Sequence, residues 1–327
     1  MRRRDFITLL GGTLAAWPRS ARTQSPMGPL VGLLSPLSQA RATRNVQAFR
    51  NGLHELGYIE GRNIALELRF ADGLPSHLPQ LAAELVALKP DAILVGSTAG
   101  ILAARNATQT IPLVMIAGEN PVGLGLVKSI AQPGTNVTGT WLTGDDGLFG
   151  KRLGLLKEVV PGLTRLGAVL DPDDPHAVKK FRLLPPAARA LDLELHVIEV
   201  RAASEFDAAF AKAARDGMQA LFITSSALLD THRGGVAATA ARMRLPTIHP
   251  WRESAEAGGL MSYGPSLPDV YRSSARTVAK IVKGSSPASL PIQIPRRFEL
   301  VVNLKTAKAL GLTISESFLL LADEVIE

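Results

Sequence analysis

Cysteine is absent from all 327 residues. That excludes disulfides, thiolate metal sites, a cysteine nucleophile and a lipid-acylated cysteine anchor. Aromatic side chains are scarce, at 5% of the chain. Grooves for nucleic acid interleave basic with aromatic residues, and no stretch here does so. The formal net charge of +7 does not change this reading, because the first 24 residues alone hold five arginines against one acid, Asp5. Nucleic acid is not an expected partner. No apolar run approaches the roughly 20 residues that a membrane-spanning helix needs. The six histidines, His54, His77, His176, His196, His232 and His249, show no metal-ligand spacing. In "GSTAG" Ser97 directly follows a glycine, which is not the nucleophile-elbow spacing. "GLGLVK" lacks the glycine patterns of phosphate-binding loops. No catalytic residue, metal or cofactor is expected, and the chain does not read as an enzyme.

What is present begins at the N-terminus. Three arginines precede the apolar run "FITLLGGTLAAW", and "PRSARTQ" follows with small residues suited to cleavage after Thr23. This is the layout of an export signal. "RRDFI" (Arg3 to Ile7) resembles a twin-arginine signal, with Arg2 and Thr8 departing from the usual Ser/Thr and Lys. Residues 1–24 are therefore read as a cleaved export signal, and the remainder as periplasmic.

The rest is 46% hydrophobic and 20% charged as a whole chain, enough for a real core in about two domains. From Leu30 short apolar runs alternate with helical spacing. "LVGLLS" precedes a helix carrying Val46, Phe49, Leu53 and Leu56, which stops at Gly57. "NIALELRF", "DAILVGS" and "IPLVMIAG" read as further strands, with "LPQLAAELVALK", "TAGILAARNA" and "GLGLVKSIAQ" as helices. "PGTNVTGT" (Pro133 to Thr140) reads as a break. The alternation restarts with the strands "RLGAVLD", "ELHVIEV", "ALFITSS", "PTIHP" and "GLMSYG". A helix over 267–283, a Pro/Ser-rich linker, the strand "FELVVN" and a terminal helix pair complete the chain.

Continuous apolar strands in β-α order predict parallel sheets covered on both faces. The expected fold class is α/β, with two doubly wound, Rossmann-like lobes. Lobe 1 takes 25–139 with part of 262–295 returning to it, and lobe 2 takes 140–261. The strand and helices of 296–327 are assigned to neither lobe.

Doubly wound sheets bind ligands beyond the C-terminal ends of their strands. The residues there are Ser35 and Pro36; Ser97, Thr98 and Ala99; Glu119, Asn120 and Pro121; Asp171; Thr224, Ser225 and Ser226; His249; and Tyr263. Each serine or threonine can also be an ordinary helix cap. As a set, hydroxyls and helix N-termini aimed into a crevice suit a carboxylate or other anion. "DPDDP" (Asp171 to Pro175) reads as a turn with solvated acids. Tyr263 is read as both a turn residue and a pocket wall, and Tyr271 as packing.

Six stretches carry a family resemblance. They are "LHELGYIEGRNIALELRFADG", "LAAELVALKPDAILVGSTAGILAARNATQTIPLVM", "NPVGLGLVKSIAQPGTNVTG", "KRLGLLKEVVPG", "EAGGLMSYGPSLPDVYR" and "FELVVNLKTAKALGLTI". From about residue 30 to Glu327 the chain resembles the ABC-transporter substrate-binding proteins, a family with tryptophan- and tyrosine-binding members. The resemblance implies a type I periplasmic-binding-protein fold, two lobes joined by crossover strands and closing on a small ligand. It implies a monomer that delivers an amino acid, aromatic acid or other carboxylate to an inner-membrane permease, whose ATPase is a separate chain. A ligand-sensing module that signals to a membrane receptor is the alternative on the same fold. Ser35, Pro36, Ser97, Thr98 and Ala99 match ligand-contacting positions of the first lobe, and Asp171 and Thr224 to Ser226 match those of the second. Asn120 stands where the family usually has Asp, and Ser254 where it usually has an aromatic.

Arg3→Lys with Arg4→Lys is expected to leave unprocessed protein in the cytoplasm. Cell fractionation checks this, and normal processing of the double variant would rule out the twin-arginine route.

Overall fold

The computed structural model describes residues 28–144 and 147–327; the export-signal segment lies outside the described residues. The first half runs β1 (Leu30–Ser35), α1 (Gln39–Glu55), β2 (Ala65–Phe70), α2 (Leu78–Ala87), β3 (Ala92–Val95), α3 (Thr98–Ala107), β4 (Leu113–Ala117) and β5 (Val137–Trp141). The middle runs α4 (Gly147–Val159), β6 (Arg165–Leu170), α5 (Pro175–Phe181), α6 (Leu184–Arg189), β7 (Glu194–Glu199), α7 (Phe206–Arg215), β8 (Ala220–Ile223), α8 (Ala227–Thr231), α9 (Arg233–Arg242), β9 (Thr247–His249), α10 (Arg252–Glu256) and β10 (Met261–Pro265). The last part is α11 (Leu267–Val282), β11 (Phe298–Asn303), α12 (Leu304–Ala309), α13 (Glu316–Leu319) and β12 (Glu324–Ile326).

Two sheets result, in the order β2-β1-β3-β4-β5 and β12-β11-β10-β9-β8-β6-β7. The first is parallel throughout. In the second, only β10 with β11 is antiparallel. The central strands β3 and β4 are buried along their whole length, as parallel strands covered on both faces must be. In each sheet the strand order reverses once near its middle, between β1 and β3 and between β6 and β8. Those two switch points open crevices at the C-terminal ends of the strands.

Helix α1 forms where its apolar spacing predicts. Val46, Phe49 and Leu53 are buried against the first sheet, while Leu56, past the last turn, is 38% exposed. Gly57 follows at φ +83, the left-handed conformation that ends helices. Gly52 has a different task. A Cβ there would lie 2.3 Å from the Arg272 carbonyl oxygen on α11. Helix α11 leaves the second sheet after β10 and packs on α1 through Val270, Ala275 and Val278. The following segment runs beside β5, where Gln293 N–H donates to the Gly139 carbonyl at 2.7 Å and the Gln293 carbonyl accepts from Trp141 N–H at 2.9 Å. The chain then returns to the second sheet as β11. It thus passes between the lobes three times. On the second lobe, Arg252 of α10 meets Glu256 and Glu299 at 3.0 Å and also Glu324, tying β11 and β12 to the sheet.

Three local expectations are corrected. "GLGLVKSIAQ" is not a helix but a series of turns. Asn120 Oδ1 accepts the Val122 and Gly123 N–H groups, Gly125 sits at φ +69, and Lys128 N–H donates to the Pro133 carbonyl. Its apolar Leu126 and Val127 are buried all the same. "PGTNVTGT" contains most of β5, where Gly139 at φ +127 lets the backbone pass Met115 at a distance that no side chain would allow. The terminal helix pair is followed by the short strand β12.

Alanine favours helix over glycine by about 1 kcal/mol. Even so, Gly52→Ala is expected to lower stability by about 1–3 kcal/mol, because its methyl meets backbone rather than a movable side chain. Denaturant unfolding of the two proteins checks the sign.

Candidate functional site

The β8 and β9 ends of the second sheet, helices α4 and α5, and the first crossover enclose a cavity between the lobes. Its enclosed volume is about 40 Å³. Its first-lobe and crossover wall is Gly118, Leu142 and Thr143; Thr143 Oγ1 donates to the Gly118 carbonyl at 3.0 Å. Its apolar wall is largely aromatic, with Phe149, Phe181, Phe222 and Trp251. Its hydroxyls are Thr143, Thr224 and Ser225. Its ionisable lining, among the described residues, is Arg152 from α4 and Lys180 from α5.

Arg152 is 6% exposed, and its Nε–H donates to the Tyr263 carbonyl at 2.6 Å. Burial pushes the guanidinium down to about 9, against the opposing pull of Tyr263 and Asp230. Lys180 reaches across the cleft: a Cβ at Gly118 would lie 2.4 Å from its Nζ. Burial lowers Lys180 as well, with Glu119, Asp174 and Asp230 acting against it. Behind the wall, Asp230 accepts from Ser225 Oγ at 2.8 Å and from the Trp251 indole N–H at 3.2 Å. The residue keeps some exposed surface, but its carboxyl is enclosed, and burial raises it to about 6. The Trp251 ring also packs against the first-lobe core, so it spans both lobes.

The strand-end residues divide into groups. Thr224 and Ser225 line the cavity; Thr224 Oγ1 also donates to the Val169 carbonyl at 2.7 Å. Ser97 and Ser226 are helix caps, accepting from Gly100 N–H at 2.9 Å and Leu229 N–H at 3.2 Å. Ser35 is buried and accepts from Leu37 N–H, while the Pro36 carbonyl accepts from Gly73 N–H. Thr98 is buried in the first turn of α3, and Ala99 packs on the adjacent core. Asn120 and Pro121 form the turn described above, with the Pro121 carbonyl accepting from Leu126 N–H. Asp171 is buried beside Ser226 and Asp173, and burial raises its pKa. None of these others lines the cavity.

Two residues stand apart from the expected positions. His249 is 1% exposed, and its ring pairs with Thr247 Oγ1 at 2.9 Å, away from the cavity. Burial, with Arg152 nearby, pushes its imidazole down to about 3, so it stays neutral. The Tyr263 ring stacks on Phe298 at 6.0 Å between centroids and packs on the second-lobe core. Its contribution to the site is the carbonyl that orients Arg152, not a phenol wall. Alternation along β10 and its pairing with β11 turn the ring aside. Tyr271 is buried in the first-lobe core, as packing requires.

Around the cavity the lobes touch through charge. Glu119, 4% exposed at the end of β4, meets His176 on α5 and lies 3.5 Å from Lys179. The His176 contact is close but poorly aligned, and neither Glu119 oxygen has a hydrogen bond of good geometry. Burial pushes Glu119 up, but His176, Lys180 and Lys179 outweigh it and leave the carboxyl below its usual range. The same contact raises His176 against the effect of burial. Arg41 on α1 donates to the Thr231 carbonyl, and Arg44 meets Glu256 at 3.0 Å.

Arg152, Lys180, Asp230 and Trp251 escaped the strand-end reading. Trp251, two residues past β9, was within its reach had the window been wider. The two cations lie on helices, and nothing in their sequence neighbourhood marks them.

A family model described as ABC transporter substrate binding protein matches residues 30–326. A tyrosine-binding protein of Clostridioides difficile (strain R20291) is 25% identical over 291 residues, covering 89% of this chain and 83% of that one. A conserved domain protein from Vibrio cholerae is 27% identical, with a TM-score of 0.83 over 91% of this chain and 99% of that one. An ABC domain from Streptococcus pneumonia, solved with L-Trp, is 23% identical, with a TM-score of 0.83 over 91% and 100% of the two chains.

The Glu119–His176 contact gives the pairing between the lobes a pH dependence. The contribution of His176 is full below its ordinary pKa and lost as pH rises through the raised one. That of Glu119 is present above its ordinary pKa and lost as pH falls through the lowered one. The melting-temperature difference between the wild type and His176→Ala is expected to be largest near about pH 6 and to shrink toward about pH 9. Thermal melts across that range check it.

Proposed function

The chain belongs to the ABC transporter substrate-binding protein family, and from that premise we propose that it is an exported solute receptor serving ABC import. It captures a small organic carboxylate, an amino acid or an aromatic acid, between its lobes and hands it to an inner-membrane permease. The family's role is binding, not catalysis.

The observation that carries the reading is the enclosed Arg152 guanidinium at an aromatic-lined cavity between the lobes. A charge held out of water is costly without a counter-charge. A ligand carboxylate supplies one, and a planar guanidinium matches its two oxygens. Phe149, Phe181, Phe222 and Trp251 then cover the ligand's apolar body. Tyrosine and L-Trp, the ligands of two relatives, combine a carboxylate with an aromatic body.

Closure follows from the same layout. A ligand touching Gly118 or Thr143 on one side and Arg152 or Thr224 on the other meets both walls only when the lobes are together. Its differential affinity for that state draws them shut. Among the described residues no helix is long and apolar enough to cross a membrane. Release into the periplasm and docking on a permease complete the proposed role.

The test is a melting-temperature screen over amino acids and small organic acids. A ligand present at 100 times its dissociation constant stabilises by about 2.7 kcal/mol. Arg152→Met is expected to weaken that ligand by on the order of 100-fold, in the range seen when one partner of a buried charge pair is removed. Failure of every compound to shift the melt would count against a receptor role.

A further inference from the structure

The cavity wall is electrically one-sided. Arg152 and Lys180 enter it from consecutive helices of the second lobe, and no carboxylate lines it among the described residues. The nearby acids stand outside the lining and act on the two cations from there. Asp230 accepts from Ser225 and Trp251 behind the wall. Glu119 faces His176 and Lys179 across the lobe boundary. Asp171 turns to Asp173 N–H and Ser226. The remaining polar lining is hydroxyl, and Thr224 and Thr143 already donate to backbone carbonyls.

An α-amino acid brings an ammonium within a few bonds of its carboxylate. In a site where the carboxylate sits on Arg152 and Lys180, that ammonium lands beside two cations in a water-poor enclosure. Like charges so placed oppose each other strongly. A carboxylic acid with the same aromatic body and no ammonium meets the same cations without that opposition. Burial of both cations is consistent with the need for a net anion, since each loses its hydration on entering the wall.

Resting on the receptor reading above, we propose that the site selects an aromatic carboxylate lacking an α-ammonium, a benzoate- or arylpropionate-like acid, over the matching amino acid. Lys180 is the residue that sets this preference. Arg152 anchors the carboxylate, and the Lys180 ammonium lies over Gly118 on the facing wall.

The test is titration calorimetry with pairs that differ only in the α-ammonium: 3-phenylpropionate with L-phenylalanine, and 3-(4-hydroxyphenyl)propionate with L-tyrosine. The acid is expected to bind at least about 30-fold tighter in each pair. Lys180→Gln is expected to weaken the acid and to narrow that ratio at least about fivefold, while Lys180→Arg keeps it. A melting curve of each variant establishes that it is folded. Asp145 and Asp146 lie outside the described residues, between Thr143 and Leu148 in sequence. Asp145→Asn with Asp146→Asn is therefore carried alongside and is expected to preserve the preference for the acid. An amino acid that binds as tightly as its acid, or one whose binding depends on Asp145 and Asp146, overturns the selectivity and leaves the receptor role standing. If neither class binds, nor any other small carboxylate, both readings fall.

Discussion

The close approach of α11 to α1 at Gly52 seats on the first lobe a helix that leaves the second sheet. Helix α11 begins directly after β10, the strand that carries Tyr263 at its centre. Packing α11 on α1 therefore ties a strand of the second sheet to a helix of the first lobe across a single residue, Ser266. The chain must then cross back to place β11 beside β10, and the segment ending at Gln293 runs along β5 on its way. Three crossings in one region make a hinge, and the C-terminal strand ends of both sheets open toward it. A side chain at Gly52 would meet the Arg272 carbonyl and push these helices apart.

Within that cleft the charges are arranged by depth. Glu119, His176, Arg41, Arg44 and Glu256 meet near the lobe boundary. Arg152 and Lys180 lie inside, where water is excluded and a cation is strongly felt. Asp230 stands behind them, tied to Ser225 and Trp251, and acts on both at a distance. Trp251 joins the layers, with its N–H in the second lobe's network and its ring against the first lobe's core. The cavity and the lobe boundary share an element: α5 carries both Lys180 of the cavity and His176 of the boundary.

The alternation of strand and helix was legible because burial on both faces demands long apolar runs, and α1, β3, β4 and α11 stand where spacing puts them. Of the strand-end residues, Thr224 and Ser225 line the cavity. The strand-end rule was less discriminating among hydroxyls. Ser97 and Ser226 spend their oxygens on helix N–H groups, and a capping serine looks in sequence like a ligand-contacting one. The "GLGLVKSIAQ" segment misled because its apolar spacing serves burial without a helix: Asn120, Gly125 and Pro133 build turns instead.

The amino-acid sequence by itself determined the α/β class, the two doubly wound units and the family, because these depend on local periodicity and on long runs of residue identity. Tertiary structure alone decided which side chains share the cavity. Tyr263 and His249 sit at strand ends, as their positions imply, yet β-pairing and core packing turn their rings away. Arg152 and Lys180 are 28 residues apart on different helices, and only the packing of α4 and α5 at the ends of the sheet brings their charges to one wall. Periodicity specifies which face of a helix is buried. It does not specify against what, and at a ligand site the opposing surface decides the chemistry.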